Sequence, residues 1–82
     1  MERDTLIRTI RGTLTAVLGH DNFDMRDELT ASDVEGWDSL THMSIITGLE
    51  SAFSIRFSLR DINKLKNMGS LIALIESKLP QQ

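Results

Sequence analysis

Apolar side chains recur at three- and four-residue intervals along this chain, and that spacing commits most of it to amphipathic helices. Leu6, Ile7, Ile10, Leu14, Val17 and Leu18 make one face of a first helix, with Gly19 as its stop. A second helix is predicted to begin at Asp38, whose carboxylate can accept a free N–H of the first turn. Trp37, just before that cap, is placed to staple against His42, and Ile45, Ile46, Leu49 and Phe53 form the inward stripe. Ser58-Leu59-Arg60-Asp61 reads as a capping box with Asp in place of Glu. It opens a third helix of about two turns, carrying Leu59, Ile62 and Leu65. Asn67 caps a fourth, with Leu71, Ile72, Leu74, Ile75 and Leu79 inward and Pro80 closing it. Ile55 and Phe57 alternate, but a lone strand there has no sheet to join. The prediction is all-α: a four-helix bundle with a long first loop and a short third helix, one domain over 1–82.

The loop is the unusual part. It carries Asp21, Asp24, Asp27, Glu28, Asp33 and Glu35, with Phe23, Met25, Leu29 and Val34 as separated anchors to the core. A loop this long in a small domain points to function at or near its end. Charge follows the same division. Residues 20–53 hold those six acids plus Asp38 and Glu50 against Arg26 alone. Residues 54–82 hold Arg56, Arg60, Lys64, Lys66 and Lys78 against Asp61 and Glu76, and the whole chain sums to −3. The acidic middle disfavours nucleic acid and favours a basic partner surface. The basic end is too sparse for a phosphate-backbone footprint.

Other classes fall away on composition. The chain has no Cys, which removes disulfides, thiolate metal sites and cysteine nucleophiles. No apolar run reaches the ~20 residues of a membrane span, and Met1-Glu2-Arg3-Asp4 lacks the pattern of a signal peptide. A cytoplasmic protein is expected. A core of this size seldom also holds a deep catalytic cleft, so a carrier or binding role is favoured over an enzyme.

Asp38-Ser39-Leu40 concentrates the chemistry. Ser39 falls at the first helical position, where its hydroxyl projects from the helix end beside free N–H groups. Such a hydroxyl suits attachment of an anionic phosphodiester, or is an ordinary first-turn residue. Ser39, His42 and Asp38 could also share one helical face as a hydrolase relay. One exposed turn, however, offers no oxyanion hole or substrate pocket. An unmodified protein-interaction bundle fits the same helix pattern. Asp21, Asn22, Asp24 and Asp27 lack the alternating spacing of a calcium loop, so no metal site is expected. Ile10, Leu14, Phe23, Ile46, Leu49, Ile62 and Ile72 either line a space between the helices or close it as core.

The run Gly36-Trp37-Asp38-Ser39-Leu40-Thr41-His42-Met43 resembles the prosthetic-group attachment site of acyl carrier proteins. Leu49-Glu50-Ser51-Ala52-Phe53-Ser54-Ile55-Arg56-Phe57 resembles the end of that family's second helix and the entry to its third. The resemblance covers nearly the whole chain and implies an acyl-carrier type of bundle. It implies that Ser39, preceded by Asp38, accepts 4′-phosphopantetheine from coenzyme A, through a separate Mg²⁺-dependent phosphopantetheinyl transferase. The arm's thiol would hold cargo as a thioester, consistent with a chain that has no thiol of its own. The resemblance also implies a monomeric carrier, not a catalyst, that meets acyl- or aminoacyl-loading ligases and synthases. Leu40, Met43, Thr47 and Glu50, with Asp38, would be the outward positions that partners read, the acids meeting basic residues. The second helix is poorer in acids than in housekeeping fatty acid carriers, Arg60 and Lys64 stand where acids are commoner, and Trp37 replaces a small or aliphatic residue. These departures suit a specialised stand-alone carrier. Asp rather than Gly or His before Ser39 disfavours an aminoacyl cargo.

Overall fold

The regular structure of residues 2–79, those described in this computed structural model, is helical. The helices are α1 (Arg3–Leu18), α2 (Ser39–Phe53), α3 (Leu59–Asn63) and α4 (Met68–Lys78). The architecture is the all-α, four-helix one that the periodicity predicts. No strand forms among the described residues, and Ile55 and Phe57 lie in an irregular connector. The closing role expected of Pro80 falls outside the described residues.

The helix ends follow from their capping residues. Gly19 takes the left-handed conformation (φ 79°) and returns its N–H to Thr15 O, closing α1. Asp38, Ser58 and Asn67 cap α2, α3 and α4 through side-chain oxygens, each in a reciprocal capping box. α2 ends less comfortably. Ser54 adopts φ 56°, a region that L residues other than Gly and Asn enter at a cost.

The core joins Leu6, Ile10 and Leu14 of α1 to Ile45, Leu49 and Phe53 of α2 and Leu71, Ile72 and Ile75 of α4. Ile10, Leu14, Leu49 and Ile72 are closed off as core rather than lining an open space. No polar or charged residue is buried among the described residues. α1 lies against α2, and Gly48 permits this. A Cβ there would sit 2.8 Å from Thr13 Cγ2, closer than two carbons can pack.

Three details differ from the sequence reading. α3 has five residues rather than two full turns, because the Lys64 N–H folds back on Asp61 O and Ile62 O. Leu59 therefore stays 78% exposed at the first position of a single turn, instead of pointing inward. Met68, at the start of α4, is buried, where the apolar stripe was expected to begin at Leu71.

The long loop is held on two sides. Arg11 of α1 donates to Asp21 O and Phe23 O at 3.2 Å each, with its guanidinium 5.2 Å over the Phe23 ring. Met68 N–H and Gly69 N–H of α4 donate to Leu29 O and Asp27 O, at 2.7 and 2.9 Å. These are orphan donors of a helix start, satisfied here by loop carbonyls. Phe23, Leu29 and Val34 are buried as predicted, and Met25 packs partly against the core. Between Leu29 and Val34 a short 3₁₀ turn (Ala31–Asp33), capped by Thr30, aims the chain toward the head of α2.

Candidate functional site

The head of α2 is built by Asp38. Its Oδ1 accepts Leu40 N–H at 3.0 Å and Thr41 N–H at 2.9 Å. Thr41 Oγ1 accepts Asp38 N–H at 2.8 Å and donates to Gly36 O at 2.6 Å, tying the loop's last turn to the helix. The Thr41 N–H, helped by the Thr41 hydroxyl and Leu40 N–H, holds the Asp38 carboxyl below the ordinary carboxylate range, against a smaller desolvation effect.

Ser39 is the first residue of the helix proper and is exposed. A groove lined by Ala31, Ser32, Trp37, His42 and Met43 opens beside it. The two small residues come from the 3₁₀ turn, a contribution with no periodic signal in the sequence. Trp37 and His42 form the wall. Their rings lie side by side, 6.1 Å apart between centroids and 26° from parallel, and Trp37 Nε1 donates to His42 Nδ1 at 3.0 Å. The expected staple is thus a hydrogen-bonded pair. Beyond it lies a cleft of about 50 Å³, bordered by Ile45, Ile46, Leu65 and Leu71, with Ala31, Trp37 and His42 at the shared threshold. Of the residues that the sequence offered as a possible lining, only Ile46 borders this cleft.

The hydrolase relay is not assembled. The Asp38 carboxylate serves backbone N–H groups, and His42 Nδ1 serves Trp37. Among the described residues no three His, Cys, Asp or Glu side chains are grouped to hold a metal, and no helix is long and apolar enough to cross a membrane.

Along the outer face of α2, Leu40 is 80% and Met43 50% exposed. With Ser44, Thr47 and Gly48 they line a shallow open strip. Glu50 departs from the free outward position expected of it. It is half-buried, and its Oε2 accepts Phe57 N–H at 2.8 Å, across the turn that ends α2. The Phe57 N–H, outside regular structure, is paired in this way.

A hydroxyl is thus presented at a capped helix head beside an open groove. Residues 8–75 match the family described as a phosphopantetheine attachment site. An acyl carrier protein of Exiguobacterium is 30% identical over 79 residues, covering 96% of this chain and 100% of that one. An acyl carrier protein of Thermotoga maritima is 26% identical over 77 residues, covering 94% and 95%. The solution structure of a holo acyl carrier protein from Geobacter metallireducens superposes with a TM-score of 0.81 at 35% identity, over 88% of this chain and 83% of that one. With helical fold and matched span in agreement, this chain belongs to the acyl carrier protein family.

Proposed function

We propose that Ser39 is the residue that carries the family's 4′-phosphopantetheine, and that the chain presents acyl cargo to partner enzymes without catalysing a reaction itself. The observation that carries this reading is the exposed Ser39 at the first position of α2, opening on a groove that can receive what leaves its oxygen. When bound, the group supplies a thiol that holds cargo as a thioester. The protein's own part is positional. Asp38 fixes the helix head, and Ser39 Oγ becomes one ester oxygen of the phosphodiester.

A phosphopantetheinyl transferase, then acyl-loading ligases or synthases, are the partners of this reading. Leu40 and Met43 form the apolar part of the surface they read, with Thr47 beside them. Glu50 joins through the carboxylate oxygen that Phe57 does not use. A specialised pathway is favoured over housekeeping fatty acid synthesis. α2 carries only Glu50 beyond its Asp38 cap, while Arg56, Arg60 and Lys64 lie exposed at and around α3.

Intact mass after incubation with coenzyme A and a broad-specificity transferase tests the reading. The chain gains one phosphopantetheine, and Ser39→Ala gains none. A gain that survives in Ser39→Ala overturns the assignment. Mass spectrometry of protein purified from its own cells then identifies the cargo.

A further inference from the structure

An anion on Ser39 would be short of donors. Four backbone N–H groups open α2, and three are already engaged: Asp38 N–H with Thr41 Oγ1, and Leu40 and Thr41 N–H with Asp38 Oδ1. Ser39 N–H alone has no partner among the described residues. The Asp38 carboxylate beside it adds negative charge to the same corner. A phosphodiester on Ser39 Oγ, itself anionic, is stabilised by a further donor from a side chain.

His42 has one to give. Residues three apart on a helix are neighbours, with about 5–6 Å between their Cβ atoms, and Ser39 and His42 line the same groove. The indole N–H of Trp37 can only donate. His42 Nδ1, which accepts from it at 3.0 Å, therefore bears no proton. A neutral imidazole then keeps its proton on Nε2, and Nε2 has no partner among the described residues. Both rings wall the groove on which Ser39 opens.

We propose that His42, held by Trp37 in the form protonated at Nε2, binds the phosphodiester of the arm on Ser39 and lays the arm's first segment in the groove along Trp37. Trp37 acts through His42 and is a positioning residue. The inference rests on Ser39 being the attachment point.

The test uses the whole chain, loaded from coenzyme A, with loading followed by intact mass and the ring nitrogens by ¹⁵N NMR. Trp37 is the only tryptophan, so its indole signal is unambiguous. Before loading, His42 is expected in the Nε2–H form. Loading is expected to shift the His42 Nε2 and Trp37 Nε1 signals and to give proton–proton contacts between both rings and the arm. In His42→Ala the ratio of docked to free arm falls about tenfold, the size expected for losing a hydrogen bond to a charged group. His42→Gln, whose amide can still donate, recovers part of it. Trp37→Phe keeps an aromatic ring but removes the donor. Compared at equal loading, checked by intact mass, its His42 divides between tautomers and the arm contacts weaken. Full loading with unmoved His42 and Trp37 signals overturns this proposal and leaves Ser39 assigned. Failure to gain mass overturns the Ser39 assignment and this proposal with it.

Discussion

Single carboxylates fasten several of the local joints in this chain, and acid should expose them. Asp61 accepts the Lys78 ammonium at 2.8 Å, joining α3 to the end of α4, and its pKa falls from 3.8 to about 2, through Lys78 first and then Ser58 N–H. Asp38 and Asp33 are lowered as well, by the N–H groups of Thr41 and Thr30. A carboxyl with a lower pKa folded than unfolded stabilises the fold above its unfolded value and loses that contribution as pH falls through its folded value. Thermal melts should therefore decline from about pH 4 downward to about pH 2, and Asp61→Asn should make the decline shallower. An unchanged slope in Asp61→Asn would mean that the Lys78 pair contributes nothing. The caps at Asp38, Ser58 and Asn67 were legible because a cap is a local pattern of residue types. The fate of Glu50 was not, because its bond to Phe57 N–H depends on a turn whose geometry no periodicity records. The Trp37–His42 contact was legible as a pair, while its polar character needed the ring orientations.

Elements are well marked where an apolar stripe runs for several turns, as in α1, α2 and α4. They are poorly marked where only one turn exists. The 3₁₀ turn at Ala31–Asp33 has no buried residue to announce it, and the single turn of α3 leaves Leu59 outside. Two substitutions test how the elements end and meet. Ser54 is the only described non-glycine residue with positive φ, so Ser54→Gly should relieve that strain and raise stability by up to about 1 kcal/mol in urea unfolding. A lower midpoint would show that the Ser54 side chain makes a compensating contact. Gly48→Ala should do the opposite, although Ala is the better helix former. Thr13 cannot easily turn its methyl away, since its hydroxyl is bonded to Thr9 O at 3.1 Å. Separating α1 from α2 should cost about 1–3 kcal/mol, read as an earlier midpoint in the same unfolding experiment.

At the scale of the molecule, α1, α2, α4 and three loop residues share one core, so damage to it is felt everywhere. Phe53, at the far end of α2, is 6% exposed within that core. Phe53→Ala should cost about 3–5 kcal/mol, a large share of the ~5–15 kcal/mol that holds a small domain together. A midpoint that barely moves would show the core able to collapse around the loss. Charge is divided on the same scale, acids along the loop and bases around α3. Composition made that division readable, but not which faces it occupies. The loop's two fastenings, Arg11 from α1 and the first amides of α4, have a consequence for motion. The loop leading to Ser39 is moored to α1 and to α4, so the protein is no crane arm. On the proposed attachment at Ser39, any sweep has its hinge in the bonds beyond the serine oxygen, and a partner enzyme must bring its entrance within a tether's length of one stationary point.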